Sequence, residues 1–328
     1  MLLPDYVPVL DLKRGDIVDQ RFFGLAALYK LSDGVPVEVF KTGNDNEYPF
    51  FLRSLLKPIQ ASIMADYGTA KFYGFSDAEI AVMQASHAGE KVHTDLVLSI
   101  LKWTGLSEEF LKCPAISPLC PNILKEGEAP RKVHNNCSGK HAMMLAVSKQ
   151  IGFSLENYTD INHPVQRIVL DKISELAEIE PDKVPQSYDG CTLPIWALPF
   201  KNIAKAFFKL YTDREYSFLK AAYKKDPYII GGKDAAGFRQ DTHIMMLNPD
   251  LISKTGAGGF LSIYNDVKNE FLLIKMAQDN NKARFLFALK ILEKLGWIKE
   301  NPADYNFYDE EGRVVGEYVA GNLCCEFF

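Results

Sequence analysis

The sequence predicts an α/β (α+β) protein, a mixed sheet with flanking helices into which an all-helical block is inserted. Two observations predict it. Residues 5–50 are rich in β-branched and aromatic side chains separated by turn signals, and strand and helix signals alternate again from 226 onward. Between them, residues 76–225 carry apolar side chains at helical spacing. The expected organisation is therefore a sheet-bearing part, 1–75 with 226–328, and a mainly helical part, 76–225, with an active site where they meet.

Residues 6–10 and 18–31 read as strands about the turn Arg14-Gly15-Asp16, and 35–40 as a third strand after Asp33-Gly34. The polar stretch 44–48 leads into a helix that opens near Ser54 and runs to about Asp66, before Gly68. Ser76-Asp77-Ala78-Glu79 is a capping-box pattern ahead of an apolar run. Helical spacing recurs over 95–104, 138–152, 165–178, 203–210 and 217–224. Further on, 244–247 and 259–264 read as strands, 282–295 as an amphipathic helix stopped by Gly296, and 313–319 as a last strand.

Composition narrows the function. The 328 residues suffice for a sizeable core, and 47% hydrophobic with 24% charged residues is ordinary for a globular chain. A net charge of -5 with no basic block argues against a nucleic-acid surface, since Arg131-Lys132 and Lys224-Lys225 are only short solvated pairs. The N-terminal stretch has no basic segment followed by an apolar one, and no apolar run approaches the roughly 20 residues that span a membrane. A cytoplasmic protein without a membrane partner is expected. Its six cysteines, Cys113, Cys120, Cys137, Cys191, Cys324 and Cys325, are then reduced, and serve as ligands or nucleophiles if they serve at all.

The chemistry lies in a few short motifs. Arg53-Ser54-Leu55-Leu56-Lys57 has the S-x-x-K spacing that brings a serine and a lysine to one helix face, and Lys254-Thr255-Gly256 follows far downstream. Serine is a weak nucleophile without a neighbouring base, and a lysine becomes one when burial or another cation lowers its pKa. A second polar cluster, Ser86-His87-Ala88-Gly89-Glu90, lies between helices. The densest cluster is His134-Asn135-Asn136-Cys137-Ser138-Gly139-Lys140-His141. There Lys140 falls in the first turn of a helix, where the dipole disfavours a cation and helps keep the amine neutral. Asp189-Gly190-Cys191-Thr192-Leu193-Pro194 is turn-forming. Cys137 and Cys191 could meet as thiolate ligands with Lys140 or a histidine, or be two buried free thiols.

Taken together and in this order, these segments resemble the asparaginase II family, the thermolabile Rhizobium-type L-asparaginases. The resemblance implies a serine-β-lactamase/glutaminase-like fold and a homodimer. It implies two serine–lysine pairs at one site, Ser54 with Lys57 and Ser86 with Lys254, and a structural or regulatory zinc on Cys137, Lys140 and Cys191. The implied reaction is hydrolysis of the side-chain amide of L-asparagine to L-aspartate and ammonia. Arg53 or Arg239 is the candidate for the substrate carboxylate, and Asp189 or Glu90 for its ammonium. Three departures stand out: Gly258 replaces the usual glutamate, Met143 replaces a usual glycine, and the segment from Gly231 to Arg239 is expanded. A glutaminase or penicillin-type amidohydrolase is the enzymatic alternative, and a non-catalytic amide-binding protein the other.

Overall fold

The computed structural model describes residues 2–235 and 237–321; Cys324 and Cys325 lie outside the described residues. One antiparallel sheet organises the chain. Its order is Asn306–Tyr308, Val314–Ala320, Val7–Arg14, Ile17–Ser32, Glu270–Met276, Phe260–Asn265, Leu251–Gly256. The long Ile17–Ser32 strand pairs first with Val7–Arg14 and then, along the same edge, with Val35–Thr42, while Glu270–Met276 takes its other edge.

Alternation along that strand sends side chains to two cores. Leu25, Ala27 and Tyr29 face the larger core, made with the helices of the middle of the chain, and Ala26 and Leu28 face the smaller one. The smaller core is closed by the Asn281–Lys294 helix, whose Phe287, Leu289 and Ile291 are buried against the sheet. The sheet is thus covered on both faces, which explains the near-continuous apolar runs of Phe260–Asn265 and Glu270–Met276.

The expected strand at 244–247 is instead the end of the helix Gln240–Leu247. A four-residue apolar run does not distinguish a strand from a buried helical turn. Here Ile244 and Met245 are buried while Met246 is 55% exposed. The helix expected from Ser54 to Asp66 is broken up: a 3-10 turn Arg53–Leu56, then Lys57–Ala61 and Ile63–Asp66. The other expected helices and strands are present with shifted ends, and the capping box at Ser76 and Glu79 forms. No helix among the described residues is long and apolar enough to cross a membrane.

The Ser138–Gln150 helix is buried over almost its whole length and crosses the Asp77–Gln84 helix at close range. A Cβ on Gly139 would lie 2.2 Å from the Val82 carbonyl oxygen. Neither backbone can yield cheaply inside a packed core. Gly139→Ala is therefore expected to destabilise the fold by about 1–3 kcal/mol, measured by chemical denaturation. A variant as stable as the parent would show that the two helices are not locked at this crossing.

Candidate active site

Three separate parts of the fold deliver three side chains to one point. Lys57 is the first residue of the short helix Lys57–Ala61, with Pro58 in its first turn. Ser86 follows the Asp77–Gln84 helix in extended backbone, tied down by its N–H to the Ile230 carbonyl at 3.2 Å. Lys254 stands in the middle of Leu251–Gly256, opposite Ser262. Lys57 Nζ lies 3.0 Å and Lys254 Nζ 2.9 Å from the same oxygen, Ser86 Oγ. All three side chains are buried, the two lysines at 0% exposure and Ser86 at 2%.

Each amine has further partners. Lys57 donates to the Ala85 and Asn136 carbonyls at 2.7 and 2.8 Å. Lys254 donates to the Thr255 carbonyl at 2.8 Å and lies 3.4 Å from Asp241 Oδ2, which also accepts from Thr255 Oγ1 at 2.8 Å. Burial pushes both amines below the ordinary lysine range. Lys254 comes down to about 8, with the Asp241 carboxylate opposing the fall, and Lys57, which has no carboxylate partner, is also lowered. Two depressed amines on one hydroxyl form a continuous path for a proton.

Ser54 lies in the 3-10 turn, half-buried, and Lys57 N–H donates to its carbonyl. Its hydroxyl makes no hydrogen bond to the described residues; the amine of Lys57 is turned to Ser86. Arg53 beside it adopts φ +50, a left-handed conformation uncommon for a side chain of its size, and its Nε and Nη2 both donate to Asp189 Oδ1 at 3.0 and 2.8 Å. The K-T-G strand ends against this turn: a Cβ on Gly256 would lie 2.8 Å from the Leu52 carbonyl oxygen. The glycine lets strand and turn meet.

A second cluster adjoins the first through one backbone step, from the Asn136 carbonyl that Lys57 uses to Cys137. Lys140 Nζ lies 3.5 Å from Cys191 Sγ, and the Cys137 and Cys191 thiols perturb each other's titration. The Cys137 thiol and the Lys140 cation hold Cys191 down to about 5, and the neighbouring Cys191 together with burial pushes Cys137 up to about 12. Burial works against the Lys140 ammonium, but the two sulfurs outweigh it and the net shift is upward. The described cysteines form no disulfide. No group of three or more His, Cys, Asp or Glu side chains suited to a metal occurs among the described residues. Two sulfurs and one amine nevertheless converge. That donor set suits a borderline-soft divalent cation once the amine gives up its proton.

The other candidates are placed as follows. Asp189 is occupied by Arg53 and by Gly190 N–H. Glu90 accepts from Tyr228 Oη at 2.6 Å and from Lys233 N–H at 2.9 Å, tying down the expanded segment rather than facing the lysines. Arg239 lines a cavity of about 650 Å³ with Thr255, His243 and Arg284; its nearest acid among the described residues is Asp234 at 3.8 Å, and its Nε has no partner among them. Sequence reading missed Asp241 and Thr255 as parts of the cluster. It also missed His87, whose Nδ1 accepts from Gly89 N–H, so that Nε2 donates to Ser138 Oγ at 3.0 Å. No local signal marked Asp241, since 244–247 read as a strand and the helix Gln240–Leu247, which carries Asp241 in its first turn, was not expected. Gly258 adopts φ +79, where a glutamate would be strained.

Residues 10–321 match the family model of L-asparaginase II. The chain belongs to the L-asparaginase II family, and with that it is of the amidohydrolase class. No curated protein matches it significantly. Among solved structures, a β-lactamase from Mycobacterium bovis is similar at 12% identity and a TM-score of 0.42, over 83% of this chain and 94% of that one. A penicillin binding protein from Bacillus halodurans is similar at 12% identity and a TM-score of 0.41, over 82% and 95%. Both likenesses are distant, and family membership rests on the family model alone.

Proposed function

We propose that this protein hydrolyses the side-chain amide of L-asparagine to L-aspartate and ammonia through a serine nucleophile assisted by lysine. Family membership supports the substrate. The observation that carries the mechanism is the single hydroxyl, Ser86 Oγ, held between two buried lysine amines beside the Ser54 turn.

In this reading Ser54 attacks the amide carbon, because its hydroxyl is uncommitted and half-buried whereas Ser86 is enclosed. Lys57 accepts the Ser54 proton once substrate draws the hydroxyl to it; catalytic hydrogen bonds commonly tighten only in the complex. Ser86 relays the proton from Lys57 to the departing ammonia, with the Lys254 cation holding the Ser86 oxygen in place. The acyl group left on Ser54 is then released by water. Backbone N–H groups of the Ser54 turn are the donors at hand for the oxyanion, each worth roughly 3 kcal/mol. Arg239, with its free Nε, suits the substrate carboxylate better than Arg53, which is held by Asp189. Asp189 and Glu90 are taken, so the remaining acceptor for the ammonium is Asp241 Oδ1, which has no partner among the described residues.

Ammonia release from L-asparagine, measured beside L-glutamine and a β-lactam, tests the reading. Activity on asparagine alone is expected, with Lys57→Met lowering kcat roughly 10²–10⁴-fold. Turnover of glutamine or the β-lactam in its place would overturn the substrate. The pH profile carries a further expectation. Lys254 acts as a cation, so kcat/KM should fall as pH rises through about 8. Asp241 raises the Lys254 pKa, so Asp241→Asn should move that falling limb to lower pH; an unmoved limb would separate Lys254 from the titration.

We also propose that Cys137, Lys140 and Cys191 hold zinc. A bound zinc would supply the positive charge that keeps both sulfurs as thiolates. Lys140 would lose its proton on binding, so uptake should release protons. Metal analysis of protein purified without chelators is expected to find stoichiometric zinc, lost in Cys137→Ser. An absence of zinc in the parent would leave the Lys140–Cys191 ion pair as the complete structure of this cluster.

A further inference from the structure

Lys275 stands on the Glu270–Met276 strand opposite Phe260, away from the cluster around Ser86. Its Nζ lies 5.5 Å from the centroid of the Phe260 ring, 5.6 Å from that of Tyr6 and 5.9 Å from that of Phe50. It donates one hydrogen bond, to the Met276 carbonyl at 2.8 Å, and forms no ion pair among the described residues. The acid that acts on it electrostatically, Asp279, is already engaged by Gly258 N–H at 2.7 Å and by Arg284 Nη1 at 3.4 Å.

This amine lines a pocket of about 400 Å³ with Tyr6, Tyr48, Phe50, Arg53 and Gly258. The pocket has an apolar wall and one second cation. Arg53 commits Nε and Nη2 to Asp189, and Nη1 remains without a partner among the described residues. An amine with one carbonyl partner and no ion pair among the described residues, aromatic walls and an arginine in one pocket suit a small electrophile with an apolar acyl group and an anionic leaving group.

We propose that Lys275 is an acylation site for small acyl phosphates, with Arg53 Nη1 receiving the phosphate and the rings of Tyr48 and Phe50 receiving the acyl group. The neutral amine attacks the acyl carbon. The C–N bond forms as the C–O bond to phosphate breaks, inorganic phosphate leaves with the electron pair, and the surplus proton on nitrogen passes to solvent.

The groups facing Lys275 set its reactivity. Burial holds the amine down to about 8; Asp279 opposes this, Arg284 adds to it, and the facing phenol of Tyr6, pushed up by burial, stays neutral at that pH. At pH 8 about half of Lys275 is free amine, against roughly 0.3% of a surface lysine. Lower basicity reduces nucleophilicity; with a slope of about 0.4–0.5, as for thiolates, a net advantage of roughly tenfold remains. Lys254 shares the low pKa but is wholly buried and hydrogen-bonded, so it gains no such reactivity.

The proposal is independent of the reaction at Ser54. Its test is a time course with limiting acetyl phosphate at pH 8, with acetylated lysines mapped by mass spectrometry. Lys275 is expected to react roughly tenfold faster than the median surface lysine, and inorganic phosphate is expected to slow it selectively. Phenyl acetate, which has no phosphate, should label Lys275 without that protection. Labelling of Lys275 no faster than surface lysines would overturn the site. Equal phosphate protection with both reagents, or none with acetyl phosphate, would overturn the role of Arg53.

Discussion

The interior of this protein holds two lysine amines against one serine hydroxyl, and much of the surrounding structure is arranged to make that tolerable. An ammonium in a dry interior costs several kcal/mol unless it is paired or gives up its proton. Lys254 keeps Asp241 within 3.4 Å, while among the described residues Lys57 has only two carbonyls and the Ser86 hydroxyl. The two amines therefore differ in how readily they hold a proton, and Ser86 lies on the path between them. Separating an acceptor from a donor in this way is what acid–base chemistry on an amide requires.

No one element carries this arrangement. The strand Leu251–Gly256, the extended stretch after the Asp77–Gln84 helix and the start of the Lys57–Ala61 helix each bring one side chain. The Asn136 carbonyl supplies a partner for Lys57 from the segment that also carries Cys137 and Lys140. The cysteine cluster and the lysine pair thus lie one peptide unit apart. Gly256 is needed because the strand end must touch the turn that carries Ser54.

Much of this could be read from the residues, and what could not was non-local. The strands at 18–31 and 35–40, the capping box at Ser76 and the helix through 282–295 follow from local period and turn chemistry, and they formed. The S-x-x-K spacing singled out Lys57, which the structure buries, but local spacing suggested Ser54 as its hydrogen-bond partner. The partner in the structure, Ser86, lies 29 residues away, and its contact with Lys254 spans 168. Asp241 was hidden for the same reason, since its place beside Lys254 comes from the fold and not from the local sequence. The apolar run 244–247 was misread because four residues are too few to tell a strand from one buried turn. Glu90 and Asp189 were plausible ammonium ligands by charge alone; only the structure shows Tyr228, Lys233 and Arg53 already on them.

The account turns on a division of labour, with Ser54 forming the bond and Ser86 moving the proton. Rapid acid quench of the enzyme turning over L-asparagine, followed by peptide mapping, locates the acyl group directly. The account predicts an aspartyl ester on Ser54, formed more slowly when Ser86 is replaced by alanine. An ester on Ser86, or turnover by a Ser54→Ala variant at the parent rate, would contradict it.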